Sequence, residues 1–505
     1  MYIKKLRWLV IPTLALLFAF AVFFKTIYLD FSFINSSYRN DPFIEKFVQD
    51  YYSVLPKNEL KNGKQEIKVF KEAYFLLIDN YIYEFTNKAK EEFINKSITS
   101  LHSQVAIMQN NKQTLEAKNL RESVMNEIFN NIDAHTAWLS STKAKEFKAG
   151  MSGKHEGIGV LFNYDKKREL IKVLKVFDNS PAKNSGIISG DYIVAVNGKV
   201  IDKSQKLDEI INSIRGEAGT TVTLTIERKN KPMEIAVVRG KYYVPSVEHH
   251  IINKKYAYII INSFNNDSAS LFRSTLNAIG INDLEGLIID VRNNPGGLLT
   301  GVVLIADNLI SGELIVATKA RHQDLNSSFH STNKTFVRDN LPIVVLMNSM
   351  SASASELLSG SLALNNRAIL MGDYSFGKWS VQISLPLTDD SVFNITNQLF
   401  YAPKNSTFQG VGLAPDVLIK SKDNLNFHEK DYPNYLKNAD VNNVKRQPKI
   451  TIEDSMCPKV ENPLEQKEND YILGCALLYF KYNNMKGFEK AINSKDNTVE
   501  LKTVQ

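Results

Sequence analysis

The spacing of apolar residues changes three times along the chain, and each change marks a different kind of segment. From about residue 41 to 145 apolar residues recur every three or four positions. FKEAYFLLIDNYIYEF places Phe70, Tyr74, Leu77, Ile78 and Tyr81 on one stripe, and LRESVMNEIFNNI places Leu120, Val124, Ile128 and Ile132 on another. Both predict amphipathic helices, with the Lys-, Gln- and Asn-rich stretch between them as the solvated side of one bundle. Near Gly157 the period shortens to two. GIGVLFNY, ELIKVLKVF, DYIVAVNG and TVTLTIER predict strands, Asn197-Gly198 a hairpin turn, and DKSQKLDEIINSIRG, with Leu207, Ile210, Ile211 and Ile214, a single helix among them. From Tyr256 wholly apolar strands (YAYIIINSF, GLIIDVR, LPIVVLMN, RAILMGD) alternate with helical segments beginning at Ser268, Leu298 and Ser353. Strands apolar on both faces imply a covered, mainly parallel sheet. Beyond Lys420 the chain turns polar and helical, with YILGCALLYFKY as the one apolar stripe able to dock on the core.

This pattern predicts an α+β multidomain protein: a helical region over 41–149, a compact domain over 150–240, an α/β core over 241–420 and a helical tail over 421–505. A length of 505 residues fits several cores better than one. A formal net charge of +7, with no concentrated Lys/Arg stripe, argues against a nucleic-acid partner. Lys4, Lys5 and Arg7 precede an uncharged run from Trp8 to Phe24, which predicts a membrane anchor over 1–30 with the body of the chain outside the cytoplasm. Ala19-Phe20-Ala21 offers the alternative of a removed signal peptide. The expected location is therefore a bacterial inner membrane, single pass, or the periplasm after cleavage. Only two cysteines occur, Cys457 and Cys475; they are free to pair, but their spacing does not require it, and neither they nor the scattered histidines form a metal-ligand pattern. No cofactor is expected.

MNSMSASASELLSG crowds Ser351, Ser353 and Ser355 between a strand and a helix, where α/β units gather functional groups. Ser353 followed by Glu356 also reads as a capping box, which is the ordinary use of such a serine. Lys378, just beyond the strand RAILMGD, changes that balance. Two parallel strands joined by one helix bring Ser353 and Lys378 to the same sheet edge, and a neutral amine can take a serine proton. Neutrality near pH 7 requires the amine to lie about three pH units below its reference near 10.4, a differential cost of about 4 kcal/mol supplied by burial. Phe376 and Trp379 offer apolar cover, and Gln382 can hold the amine without adding charge. His135, in DAHTAWL, is the competing base but has no spacing that ties it to Ser353. Gly296 and Gly297 of NNPGG open a helix, and their amides, with that of Ala354, are candidate oxyanion donors.

GLIIDVRNNPGG, SASASELLSGSLALNNRAILMGDYSFGKWSVQ and GVGLAPDV together resemble the C-terminal processing peptidases, or tail-specific proteases. DAHTAWLS with EGIGV, and SPAKNSGIISGDYIVAVNGKVI with IRGEAGTTVTLTIER, resemble the approach to their embedded PDZ domain and its body. The likeness runs from about 66 to 420 in the family's order. It implies a serine/lysine-dyad endopeptidase, with Ser353 as nucleophile, Lys378 as general base and Gln382 as its positioner. It also implies a PDZ domain that takes a free, apolar C-terminus on Gly157, Ile158, Gly159 and Val160, with Ile187 in the pocket, and a core related to the crotonase and Clp protease sheets. Three positions depart from the family's usual residues: Trp379 after the lysine, Ala134 in DAHT, and Ala402-Pro403-Lys404-Asn405 in place of a Pro-Ser-Gly turn.

The expected function is thus a processing or quality-control serine endopeptidase. Its partners would be protein or peptide substrates with free C-termini, the membrane through the N-terminal segment, and an adaptor protein. An inactive PDZ scaffold and a crotonase-like acyl hydrolase are the alternatives. Retention of Ser353, Lys378 and Gln382 speaks against the first, and the peptide-binding module against the second.

Overall fold

A computed structural model describes residues 41–494 apart from 151–153, 166–167, 202–206, 422–427, 438–445 and 465–468. These residues fall into two compact units, one formed by the chain up to Ser141 together with Gln382–Asn397, the other by the remainder.

The first unit is built on four helices. Asp41 caps α1 (Pro42–Val54) by accepting from Phe43 N–H, with Pro42 in the first turn where its missing N–H costs nothing. In α2 (Leu60–Asn80) the stripe read from the sequence, Phe70, Tyr74, Leu77 and Ile78, is buried, as is Tyr81 just after the helix. Then follow α3 (Asn87–Asn110), capped by Thr86, and α4 (Ala117–Phe129). In α4 the buried face is Leu120, Val124, Met125 and Phe129; the helix ends at Phe129, so Ile132 lies beyond it and Ile128 is only half-buried. Aromatic rings fill the centre, with Phe70 stacked on Phe47 at 4.1 Å and Phe129 4.9 Å from Phe393. Arg121, itself buried, is neutralised by Glu66 at 2.7 Å and Asp389 at 2.9 Å.

One expectation is corrected. Among the described residues no helix is long and apolar enough to cross a membrane. The two longest, α2 and α3, carry charges along their length, including Lys61, Lys64, Glu66, Lys68 and Glu72 in α2 alone. The single-pass inner-membrane topology, the signal-anchor and the membrane as a partner are therefore withdrawn; the Trp8–Phe24 run on which they rested lies outside the described residues.

The second unit opens with a PDZ-like region. Strands Val160–Asp165, Leu170–Val176, Tyr192–Val196, Thr221–Arg228 and Lys231–Val238 form an antiparallel sheet in that spatial order. Ile171, Val173, Ile193, Val222, Leu224 and Ile226 point into one core with Ile210 and Ile214 of the helix Leu207–Ile214. Asn197 and Gly198 both take positive φ, +50° and +76°, as the hairpin between Tyr192–Val196 and Lys199–Val200 demands. Strand Lys154–Gly157 pairs with Gly240–Tyr243 as a separate ribbon.

The α/β part of this unit is a seven-stranded sheet in sequential order: β1 (Val247–Ile252), β2 (Tyr256–Ile261), β3 (Gly286–Asp290), β4 (Ile343–Met347), β5 (Ile369–Gly372), β6 (Val417–Lys420) and β7 (Ile450–Glu453). Only β1–β2 is antiparallel; the five other pairs are parallel. Side chains alternate between two cores. Ile259, Leu287, Ile289 and Val345 face α5 (Ser268–Ala278), α6 (Leu299–Asp307) and α7 (Ala354–Leu364), whereas Tyr258, Ile288, Val344 and Leu346 face α8 (Tyr471–Tyr482) and α9 (Met485–Asn493). Burial on both faces is why these strands read as unbroken apolar runs. Cys457 and Cys475 are joined in a disulfide within the second core.

Candidate active site

The site grows from two adjacent strand ends. β4 and β5 are parallel, with Met347 opposite Gly372, and α7 is the helix that joins them. Both therefore finish at one edge, the β4 end running into the 348–353 loop and the β5 end into the 373–379 loop. Two backbone bonds fasten the loops together, Asp373 N–H to Met347 O at 3.1 Å and Phe376 N–H to Ser351 O at 3.0 Å.

The crowding of serines resolves into separate tasks. Ser351 Oγ donates to Val291 O at 2.7 Å and accepts from Asn348 N–H, fixing the loop to the end of β3. Ser355 Oγ donates to Asn294 O at 2.9 Å, and Ser359 Oγ to Ser355 O within α7. Ser353, between them, is the residue before the helix and has φ +53° and ψ −115°. A β-carbon residue in that region is strained, and strain of this kind is held only where its surroundings over-determine it.

What over-determines it is Glu356. This carboxylate, fully buried at the start of α7, accepts from Ser353 N–H and from Lys378 N–H, both at 2.8 Å and both on Oε2. Those two nitrogens therefore sit no farther apart than twice that distance. Its other oxygen accepts from Gly377 N–H at 2.8 Å, Trp379 Nε1–H at 3.2 Å and the Ser375 hydroxyl. Burial pushes the Glu356 carboxyl up to about 7, while the donors of Ser375, Ser353, Gly377 and Trp379 pull the other way. The capping-box reading identified the partner of Ser353 but not its larger use, which is to tie the serine and lysine segments to one oxygen. A lone acid in SELLSGSLAL, an otherwise apolar or small-residue helix, was the available signal.

Trp379 is wholly buried, its ring 5.1 Å from Phe408 and its backbone N–H held by Gln409 Oε1 at 2.7 Å. The indole thus lies behind Glu356 in the hydrophobic core.

Gly296 meets the serine loop at close range. A β-carbon there would stand 2.8 Å from both Ala352 O and Ser353 Cβ and 3.0 Å from Ala354 N, at a φ of +107°. Its N–H donates to Asn294 Oδ1 at 2.8 Å. Gly297, with φ +142°, bridges to Phe264, and a β-carbon on it would fall 2.0 Å from Phe264 O.

Gln382 belongs to the first unit, where its Nε2 donates to Thr396 Oγ1 at 3.1 Å. Thr396 Oγ1 donates in turn to Asp133 Oδ1 at 3.2 Å. Asp133 is buried and also accepts from the N–H groups of His135 and Thr136 and the Thr136 hydroxyl. The sequence drew attention to His135 in DAHT; the organising group of that turn is the aspartate two residues earlier.

In the PDZ-like region Gly157 and Gly159 take φ +141° and +79°, and a β-carbon on Gly159 would lie 2.3 Å from Ser180 Cβ. Ile158 O accepts from Ala182 N–H at 2.7 Å. Ile158 and Ile187 are buried in the domain core, with Val160 half-buried against it. Among the described residues no cluster of His, Cys, Asp and Glu is arranged to hold a metal ion.

Residues 255–419 match peptidase family S41, and residues 157–238 match the PDZ domain. The chain is 33% identical over 307 residues to a carboxy-terminal-processing protease of Bartonella bacilliformis, covering 60% of this chain and 70% of that one. It is 33% identical over 287 residues to a probable CtpA-like serine protease of Staphylococcus aureus, covering 57% of each. A solved photosystem II D1 C-terminal processing protease superimposes with a TM-score of 0.49 at 21% identity, over 70% of this chain and 92% of that one. The chain belongs to the carboxy-terminal-processing peptidases of family S41, serine-type proteases with a PDZ domain embedded ahead of the peptidase domain.

Proposed function

We propose that this peptidase cleaves protein substrates selected by a free, apolar C-terminus, through an acyl-enzyme on Ser353 with Lys378 as general base. The observation that carries the reading is the single Glu356 oxygen shared by the backbone N–H groups of Ser353 and Lys378. In the proposed cycle the neutral Lys378 amine takes the Ser353 proton as Oγ attacks the scissile carbonyl. The protonated amine then supplies the leaving nitrogen, and water activated by the same lysine releases the acyl group. The tetrahedral oxygen is held by backbone amides. Ala354, directly after the serine, and the Gly296–Gly297 segment against it supply these; because Gly296 N–H already serves Asn294, Gly297 is the better donor of the pair. We include Gln382 as the positioner of the amine.

Substrate selection is assigned to the PDZ region. Among the described residues strand Val160–Asp165 pairs on one side only, with Leu170–Val176, so its other edge can take an extended chain end as an added strand. The positive-φ turn at Gly157 and Gly159 would receive the carboxylate on backbone amides.

The test is cleavage of an unfolded polypeptide ending in Ala-Ala. Ser353→Ala and Lys378→Ala are each expected to abolish it, and amidating the substrate's C-terminus is expected to raise KM. A Lys378→Ala enzyme that kept most of its activity would remove the lysine from the mechanism.

A further inference from the structure

Beneath the active-site loops lies a buried ionic cluster to which the C-terminal tail contributes half the partners. Arg292, one residue after Val291 and two before Asn294, is buried with its Nε bonded to both oxygens of Asp290 at 3.0 and 2.9 Å. Its two other nitrogens reach the tail: Nη1 donates to Asp470 Oδ1 at 2.9 Å and Nη2 to Asp470 Oδ2 at 2.8 Å. Asn462 Nδ2 closes the ring, donating to Asp470 Oδ2 at 2.8 Å and to Tyr258 Oη at 2.9 Å, while Tyr258 Oη donates to Asp290 Oδ2 at 2.8 Å. Burial alone would work against the charge on Arg292; Asp290 and then Asp470 outweigh it. A guanidinium so enclosed cannot lose one carboxylate without moving or admitting water.

The residues flanking Arg292 are the ones on which the active-site loop hangs. Val291 O takes the Ser351 hydroxyl, and Asn293 exchanges two bonds with the Asn348 side chain, at 3.0 and 2.9 Å. Asn294 O takes both Ala352 N–H at 3.1 Å and the Ser355 hydroxyl at 2.9 Å, and its side chain holds Gly296 N–H. Residues on either side of Ser353 are thus fixed to the four-residue segment Val291–Asn294, which contains Arg292. On the tail side, Asp470 is the N-cap of α8, accepting from Leu473 N–H at 3.0 Å. Asp470 and Asn462 both lie inside the loop closed by the Cys457–Cys475 disulfide, and both are fully buried.

We propose that Asp470 is a positioning residue for the peptidase reaction: by bidentate pairing with Arg292 it sets the Val291–Asn294 strand end that carries the Ser353 loop, and the Cys457–Cys475 bridge keeps it there. The inference rests on Ser353 as the nucleophile. It makes the tail a working part of the active site rather than a cover for the sheet.

The test separates this role from helix capping. Asp470→Ser retains a good N-cap but removes the carboxylate from Arg292. In the full-length enzyme, at a temperature where circular dichroism shows it folded, Asp470→Ser is expected to lower kcat at least tenfold with KM within twofold. The rate at which a fluorophosphonate labels Ser353 should fall in parallel. A kcat within twofold of wild type, or a loss confined to KM, would overturn the proposal. Should the variant not fold, the wild-type enzyme is treated with a thiol reductant under conditions that keep it folded. A several-fold fall in kcat that is absent in Cys457→Ser/Cys475→Ser protein supports the inference, and an unchanged kcat in the reduced, folded wild type overturns it. Failure of the nucleophile assignment would appear differently, as cleavage by the Ser353→Ala protein.

Discussion

At the scale of single residues, Glu356 decides how the site responds to pH. All five of its described partners are donors, so the ionised form satisfies every one, whereas a protonated carboxyl must give one up. With its pKa pushed up to about 7 from a reference of 4.5, the folded state keeps the proton through a window in which the unfolded state has lost it. The contribution of this group to stability is therefore complete below about pH 4.5 and is lost as pH rises through about 7, an amount of roughly 3 kcal/mol. Activity should run the opposite way, rising through the same pH as the carboxylate gathers Ser353 and Lys378. Melting temperature and kcat measured from pH 5 to 8 should thus diverge, and Glu356→Gln should flatten this component of the stability profile. Its amide has one acceptor oxygen where the carboxylate has two, so the donors now on Oε2 or those now on Oε1 must face an NH2 group, and a fall in kcat of about 100-fold is expected from at least two buried donors left short of a partner. Gly296→Ala tests the opposite wall. A methyl 2.8 Å from Ser353 Cβ and Ala352 O, at φ +107°, should cost on the order of 100-fold or more in kcat, as loss of oxyanion geometry does, while substrate KM holds.

At the scale of elements, what was legible in the sequence is what local periodicity encodes. The strands Gly286–Asp290, Ile343–Met347 and Ile369–Gly372 and the helix between the last two were plain from apolar runs and their breaks, and parallel pairing then placed Ser353 and Lys378 at one edge. Strand Ser327–His330 and the end of Leu314–Ala320 escaped because ATKARHQDLNSSFH is mostly polar and shows no alternation; there pairing rather than composition makes the strand. Likewise nothing local signals that Gln382–Asn397 packs with the first helices, since Trp138 Nε1 reaches Ser391 across 253 residues. The strand start Gly157–Val160 shows the same limit from another side. Ile158 fills the domain core and Gly159 is required by Ser180, so the sequence alone could not divide structural need from peptide binding. Gly159→Ala separates them. It should distort the turn proposed to receive the carboxylate and raise KM for a substrate with a free apolar C-terminus severalfold, with little change for the same substrate amidated. Equal effects on the two would assign the loop to domain stability alone.

At the scale of the whole molecule, the tail is one of the layers that make the α/β sheet stable. A parallel sheet must be covered on both faces, and the second face, Tyr258, Ile260, Ile288, Val344, Leu346, Met371, Val417 and Ile419, is closed by Cys457, Val460 and the helices within 471–492. The fit is close: Phe480 stacks on Tyr256 at 5.1 Å and leaves no room for a β-carbon on Gly286, 2.9 Å from the ring. The disulfide spans 18 residues, a closure worth about 3 kcal/mol if it acts by restricting the unfolded chain. The cysteines were visible in the sequence as a pair without a reason to join; the reason is the shared core in which both are buried. A chain ending at Met456 would expose eight large apolar side chains on a single face, each worth roughly 1.5–3 kcal/mol when buried. That sum is as large as or larger than the stability of an ordinary domain. The truncated protein is expected to be recovered as aggregate, or without the near-ultraviolet circular dichroism of a packed core, even though every proposed catalytic residue is still present. A soluble, cooperatively melting truncated chain would show that the tail is dispensable to the fold, and Asp470 would then bear on the active site alone.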